Sequence, residues 1–563
     1  MEVTVNPGFV PILAGLAVLA APRIARAPIM ALAALTALWF LLDHDFGAAA
    51  TMRQMGLEIV LLDLDALNRI FGIVMLILLI AMAIYTGARR NRYEDAAILM
   101  LAGGAVSALF VGDLVFLVAA AALAGLAAAW IVFASPLDGA RHAGVRLLIW
   151  HGLEGLLFLV GVALHLTATG GNSGFARLDA ASISGACILA ALMLRIGAPF
   201  AHVWLKDVVS HASPAGGAAL CAFTTMLGVY ALARLFPAEP LLVPIGVAMI
   251  AIGAVYAAIE DNLRRAAAYA LSAQTGVCVA LIGVGSPLAM AAAEGHAFAA
   301  LLAFAALQMA LGAMLERSGV ALVSEMAGIA RAMPITSFLQ LAAGLAAAAA
   351  PGFALYATQT VALQATAQWE LRYLWLAIAA LSAILFVALA LRPAIAAHRA
   401  STPARAFSEA PFPMMLGCAL AVFLCLSIGL APRWLYDLMP SGLAFQPFAL
   451  ESLAPQLELL GVAGLTYLGF VVTRLAPKTL ARPLDIDAFY RGPVAGAGRW
   501  AGALLLRAYG AWQAGATRTG YAFGRLLGRL SRLCDRPYAQ TRVADAAQFL
   551  TIGAILMTIM LFR

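Results

Sequence analysis

Charge is scarce in this chain. Only 11% of its 563 residues are Asp, Glu, Lys or Arg, while 64% are hydrophobic. A water-soluble domain of this length needs far more surface charge, so that class is excluded. Cysteine is sparse as well: the six (Cys187, Cys221, Cys278, Cys418, Cys425 and Cys534) are scattered, five of them in apolar stretches. No CxxC or Cys/His spacing points to zinc, an iron–sulfur cluster or a disulfide framework. There is no glycine-rich phosphate loop or dinucleotide fingerprint, so no cofactor and no catalytic centre is expected. The +7 net charge comes with no basic–aromatic nucleic-acid motif, and no nucleic-acid partner is expected. The first apolar stretch lacks the basic start and cleavage site of a signal peptide and reads as a retained span.

Long apolar runs are what the chain has. They are about 20 residues each, long enough to cross a hydrocarbon core of roughly 30 Å. Rich in Ala, Leu and Gly and without barrel alternation, they read as helices, which satisfy their own backbone in lipid. About fifteen or sixteen spans are expected, with cores near 8–22, 28–43, 68–87, 95–112, 114–134, 147–168, 178–198, 216–235, 241–259, 266–284, 294–314, 336–366, 371–391, 413–431, 456–474 and 544–562. Arginines cluster in alternate loops: Arg23 and Arg26, then Arg89, Arg90 and Arg92, then Arg141 and Arg146, then Arg264 and Arg265, then Arg392, Arg399 and Arg405. The positive-inside rule puts these loops in the cytoplasm and the N-terminus outside.

Two places read as breaks in spans. Pro199 and Pro214 bracket the elbow PFAHVWLKDVVSHASP, which carries His202, Lys206, Asp207 and His211. Pro351 sits in Ala350-Pro351-Gly352-Phe353, inside another span. Proline removes a helix hydrogen bond, and irregular backbone at membrane depth is tolerated only inside protein or along a cavity. The two breaks occupy corresponding places in two halves, as in repeated five-helix units; the alternative is a pair of packing kinks.

Several segments together carry a family resemblance. They are GDLVFLVAAAALAGL at 112–126, RIGAPFAHVWLKDVVSHASPAGGAALCAFTTMLGVYALAR at 195–234 and DNLRRAAAYALSAQTGVCVALIGVG at 261–285. EGHAFAALLAF at 294–304, EMAGIARAMPITSF at 325–338 and PLDIDAFYRG at 483–492 follow. The chain resembles the antiporter-like membrane subunits of NADH:quinone oxidoreductase (complex I) and of Mrp-type Na+/H+ antiporters, most of all the D-type Mrp subunits. The resemblance implies an all-α polytopic fold built on two inverted five-helix repeats. It also implies a chain of buried Glu, Lys and His that moves protons or Na+.

Position by position, that chain is depleted here. The family glutamate of the fifth span falls at Ala122, and the lysine of the seventh falls at Arg195. The lysine of the eighth span falls at Met226. The His–His–Lys series of the eleventh falls at His296, Ala300 and Phe304, and the lysine of the broken twelfth falls at Gln359. A relay needs groups that hold and release protons. Met, Ala and Phe cannot do this, Gln can only orient water, and Arg stays protonated.

A charge inside the membrane needs an explanation, since it costs about 2.5–3.5 kcal/mol on insertion scales. Glu154 lies in a span with His151 and His165, within about 60° and 20° of it on a helical wheel. Counting from a hairpin turn near Asn172 puts Glu154 and Arg195 at depths differing by about 7–8 Å. They are expected either to pair, or Glu154 faces a neighbouring protein or a water pocket. Asp113 either caps its helix or carries ions. His296, with Glu294 nearby, is either an ion-path group or a satisfied core histidine. Lys206, Asp207 and His211 are expected at the cytoplasmic surface, as the entrance of a half-channel or as interfacial anchors. Gln274, Gln308, Thr224 and Thr225 are expected in interhelical hydrogen bonds.

Residues 493–542 carry eight arginines interleaved with Trp500, Tyr509, Trp512, Tyr521 and Phe523. This basic amphipathic stretch suits a membrane surface and anionic lipid, or a lateral helix lying on neighbouring subunits. The expected organisation is 1–94 as N-terminal spans, 95–400 as the antiporter-like core and 401–492 as C-terminal spans, then 493–542 as the amphipathic helix and 543–563 as a terminal anchor. The expected place is the bacterial inner membrane. The expected partners are membrane subunits of a complex I/Mrp-like assembly, including paralogous chains, with lipid and protons or Na+. The expected role is structural or coupling. The alternatives are an active carrier rerouted through Glu154, Arg195 and His296, and a membrane partner of an inorganic-carbon uptake or hydrogenase-related complex.

Overall fold

The computed structural model describes residues 5–513, apart from 48, 55–56, 89–90, 401–407, 440–442, 444, 476–478, 481–482 and 495, together with Arg525. Arg89, Arg90, Arg405, Cys534, most of the basic stretch beyond 513 and the expected span at 544–562 lie outside the described residues. The chain divides into two units, Met1–Leu484 and Asp485–Arg563.

Helices α1 (Phe9–Ala20) and α2 (Arg23–Asp43) open the first unit. A hairpin follows, β1 (Ala49–Gln54) paired antiparallel with β2 (Leu57–Asp63), with a register shift between Ala50 and Thr51. An all-helical reading misses it, because LEIVLLD runs apolar almost without alternation into the next span. Then come α3 (Ala66–Thr86), α4 (Arg92–Phe110), α5 (Leu114–Phe133) and α6 (Ala140–Thr169). Side chains start them: Asp65 and Asn68 form a capping box on α3, Asn91 caps α4, and Asp113 caps α5. α6 ends at Gly170, in the left-handed conformation that closes a helix without a Cβ clash.

The elbow is one broken helix. α7 (Ile183–Ile196) stops at Gly197 (φ 70°), and α8 (Val203–His211) resumes after Pro199. α8 packs on α6, on α9 (Pro214–Phe223) and on α12 (Leu263–Val284), so it lies inside the bundle. Pro214 takes the first turn of α9, capped by Ser213, rather than kinking a span. α10 (Thr225–Leu235) continues α9 after an irregular residue, Thr224.

A second set repeats the plan. α11 (Leu242–Ile259), α12 and the 32-residue α13 (Pro287–Ser318) lead through short α14 (Ile329–Ala332). α15 (Pro334–Ala347) and α16 (Ala354–Gln368) form the second broken helix, split where Pro351 and Gly352 (φ 97°) lie. α17 (Arg372–Leu385) passes through a π turn at Phe386–Leu391 into α18 (Arg392–His398). In both sets the fourth member is split and the fifth is locally irregular. α19 (Phe412–Leu430), short α20 (Arg433–Tyr436) and α21 (Leu450–Val472) complete the unit. Among the described residues, twelve helices are long and apolar enough to cross a membrane, and α1, α7 and α15 are shorter apolar ones.

α13 is buried almost throughout and packs on α12, on both α9 and α16, and on α15, α19 and α3. α6 and α21 instead show apolar faces outward, with Ile149, Leu156, Leu159, Val462 and Leu465 exposed. In the second unit, described residues 485–513 comprise a short helix Asp487–Phe489, a π turn Tyr490–Val494 and a helix over 496–513. That last helix exposes Trp500, Tyr509 and Trp512.

Candidate functional site

Glu154 and Arg195 meet inside the first repeat. Arg195 Nε donates to Glu154 Oε1 at 2.6 Å, and each residue is 2% exposed. The other carboxylate oxygen lies 2.8 Å from His151 Nδ1, one turn earlier on α6. Arg195 Nη2 donates to the Ala121 carbonyl on α5 at 2.9 Å. Gly228 on α10 leaves room for this arginine: a Cβ there would stand 3.3 Å from Arg195 Cγ and 2.5 Å from Ile196 Cγ2. The arginine thus ties three helices together beside the first break. Arg195 Nη1 and His151 Nε2 are buried with no hydrogen-bond partner among the described residues.

The other aligned positions divide. Ala122 is exposed on α5, and it is Ala121 that turns inward to Arg195. Met226, Ala300 and Phe304 are fully buried in the apolar core. His165 shares a helix with Glu154 but stands three turns away, roughly 16 Å along the axis, at a partly exposed position.

Lys206 and Asp207 are not at the surface. They are 1% and 8% exposed, because α8 is a half-helix inside the bundle. Asp207 accepts two hydrogen bonds from Arg146, from Nε at 2.7 Å and from Nη2 at 3.0 Å. This bidentate pair holds α6 to α8. His211 is only partly buried, and its Nδ1 lies 2.7 Å from the Asp207 carbonyl oxygen. Lys206 Nζ lies 5.3 Å from the centre of the Tyr269 ring, which stacks on Tyr256 at 4.9 Å. The His202 ring is 6.2 Å from Tyr256 and 6.1 Å from Tyr269. Beyond the end of α11, Glu260 pairs with Arg265 at 3.0 Å, and burial pushes its carboxyl above the ordinary carboxylate range.

The second repeat holds a buried polar cluster. His296 is fully buried on α13, with Nε2 2.9 Å from Gln274 Oε1 and Nδ1 3.3 Å from Thr358 Oγ1. The carbonyls freed at the second break each find a side chain. Gln274 Nε2 donates to Ala347 at 3.3 Å, Ser382 Oγ to Ala348 at 2.6 Å, and Gln456 Nε2 to Ala349 at 3.3 Å. At the first break, Trp204 Nε1 donates to the Leu194 carbonyl at 3.1 Å and Ser272 Oγ to that of Gly197 at 3.4 Å. Gln359 on α16 is 1% exposed, and neither of its amide atoms has a partner among the described residues.

Asp113 occupies the capping position of α5. Its Oδ1 accepts from Phe116 N and its Oδ2 from Val60 N, both at 2.8 Å, so it caps α5 and pins the hairpin to it. Sequence reading missed Ser272, Thr358, Ser382, Gln456 and Tyr269. Each is a polar or phenolic side chain within an apolar helix, and that was the available signal. It also missed a buried junction in which Glu94 accepts from Ser213 Oγ and from Gly216 N. Arg264 donates there to the Ala212 and Ser213 carbonyls at 2.8 and 2.9 Å.

The fold matches solved chains over most of their length. A chain of the Mrp complex from Dietzia sp. DQ12-45-1b superposes with a TM-score of 0.69 at 17% identity, covering 83% of this chain and 99% of that one. A chain of the membrane-bound sulfane sulfur reductase, an archaeal respiratory membrane complex, gives 0.70 at 19%, covering 98% and 99%. One from Thermus thermophilus respiratory complex I gives 0.68 at 18%, covering 81% and 100%. Among relatives by sequence, the A/B subunit of a probable K(+)/H(+) antiporter of Rhizobium meliloti is 29% identical over 38% of this chain. An NAD(P)H-quinone oxidoreductase chain 4 of Synechococcus elongatus is 28% identical over 39%. The matched segments span only 23% and 44% of those two relatives. Residues 112–385, which hold both broken helices and every buried group described above from Asp113 to Ser382, match the family described as NADH:quinone oxidoreductase/Mrp antiporter, TM.

Proposed function

We propose that this chain is an antiporter-like membrane subunit of a larger complex related to complex I and Mrp antiporters, serving there as a structural or coupling part. The observation that carries the reading is the Glu154–Arg195 pair. Its cation is permanent, its carboxylate is saturated by Arg195 and His151, and the pair is sealed from solvent. A relay group must release its proton, and this pair is built to hold its charges in place. The apolar packing at Met226, Ala300 and Phe304 supports the same reading. Its partners are other membrane subunits, including paralogues with complete relays. Its setting is the bacterial inner membrane.

A second reading, a proton or cation carrier, has one observation in its favour. The unpartnered amide of Gln359 is buried one residue after Thr358, the hydroxyl beside His296. Water at that amide would extend a polar path from Gln274 through His296.

The test is purification of the tagged chain in mild detergent, with mass spectrometry of what stays bound, followed by reconstitution with Glu154→Gln. Recovery of several antiporter-like chains, with ion coupling unchanged in the variant, supports the structural role. Recovery of this chain alone, with proton or Na+ flux that the substitution abolishes, establishes the carrier.

A further inference from the structure

A cleft of about 410 Å³ lies between α11, the α17–π turn segment and α21. Its walls are apolar, with Ile259, Val387 and Phe470 among them. Arg392, Thr466, Tyr467 and Thr479 supply its polar groups. α21 is the least buried of the long apolar helices, so the cleft opens where hydrocarbon would lie. Its volume is that of a small-ligand site and roughly that of one acyl chain.

Arg392 gives the cleft its sign. It is 6% exposed, and it donates to the carbonyls of Ala258 at 2.5 Å and of Glu260 at 2.9 Å, at the C-terminal end of α11. A helix end offers only about half a negative charge. No carboxylate among the described residues forms an ion pair with Arg392, although Asp261 and Glu260 lie within electrostatic reach of it; Glu260 pairs with Arg265, and Asp261 accepts from Ser324 and Thr479. Arg392 Nε is buried without a partner among the described residues. Arg399 lies within electrostatic reach of Tyr467 and adds a second cation to that end. An apolar slot with an under-compensated cation and a tyrosine at the level of the helix ends has the amphipathic pattern of a lipid, acyl chain inward and phosphate at the interface.

We infer that this cleft binds an anionic phospholipid, one acyl chain lying against Val387 and Phe470 and the phosphate facing Arg392. The reading does not depend on whether the protein conducts ions.

Native mass spectrometry of the delipidated full-length protein tests it, after equilibration with equal amounts of phosphatidylglycerol and phosphatidylcholine. The wild type is expected to retain one phosphatidylglycerol in preference to phosphatidylcholine by roughly fivefold, the factor expected from one basic residue beside an anionic headgroup. Ala463→Trp, which fills the slot without touching a charge, is expected to lose that lipid. Arg392→Gln is expected to keep a lipid and lose the preference. Equal retention of the two lipids by the wild type, retention of a neutral isoprenoid quinone instead, or unchanged retention in Ala463→Trp would overturn the proposal. Should Arg392→Gln fail to fold, the Ala463→Trp result decides.

Discussion

Ser272 and Gln274 stand two residues apart on α12 and hydrogen-bond to opposite repeats. Ser272 Oγ reaches the Gly197 carbonyl at the first break, and Gln274 Nε2 reaches the Ala347 carbonyl at the second. Residues two apart on a helix point to different sides, so α12 stands between the two broken helices and supports both. Each break frees carbonyls at membrane depth, where an unsatisfied polar group is costly.

The two supports differ in weight. Gln274→Leu strands the Ala347 carbonyl and removes a partner from the buried His296, at an expected cost of about 1–3 kcal/mol. Ser272→Ala removes a bond that is already long, 3.4 Å, and should cost about 0.6 kcal/mol or less. Thermal unfolding midpoints in detergent rank them, and a larger loss for Ser272→Ala would reverse the assignment.

Breaking the Glu154–Arg195 pair one side at a time should hurt more than removing it. Glu154→Leu leaves a buried guanidinium uncompensated, at an expected cost of about 3–5 kcal/mol. The double replacement Glu154→Leu with Arg195→Met should recover most of that loss. A double-mutant cycle on unfolding stability measures the coupling, and simple additivity would mean the pair contributes nothing as a pair.

Gly246 fixes how closely α11 approaches α12. A Cβ there would stand 2.5 Å from the Gly276 carbonyl oxygen and 2.6 Å from Ala280 N, and backbone cannot yield as a side chain can. Gly246→Val should therefore cost at least about 1–3 kcal/mol by overpacking. Gly461→Ala on α21, with nothing within 4 Å of the added carbon, should be neutral or slightly stabilising. Equal behaviour of the two variants would contradict the close approach.

Asp113 uses both carboxylate oxygens, one for the α5 cap and one for β2. Asp113→Ala should cost about 1–2 kcal/mol through the cap alone. Asparagine caps helices as well as aspartate does, but its amide nitrogen cannot accept from Val60 N. Asp113→Asn should thus keep the helix and loosen the hairpin, seen as faster protease cleavage within residues 49–63. Wild-type cleavage in that variant would show that the hairpin does not depend on Asp113.

The sequence alone determined that this is a polytopic helical membrane protein. Low charge and repeated apolar runs leave no other way to satisfy the backbone in lipid. Its motifs also carried the family resemblance, and Pro199 and Pro351 marked the two breaks. Helix geometry placed Glu154 and Arg195 at similar depths, because rise per residue is fixed. Tertiary structure decided what one-dimensional reading cannot reach. Lys206 and Asp207, expected at the cytoplasmic surface, are buried because α8 continues a broken helix into the bundle. The main-chain carbonyl of Ala121, one residue from the aligned position, is what meets Arg195, and a side-chain alignment does not point to a backbone acceptor. The hairpin at 49–63 and the side chains that satisfy Ala347, Ala348 and Ala349 depend on partners far along the chain. Only the packed fold brings them within reach.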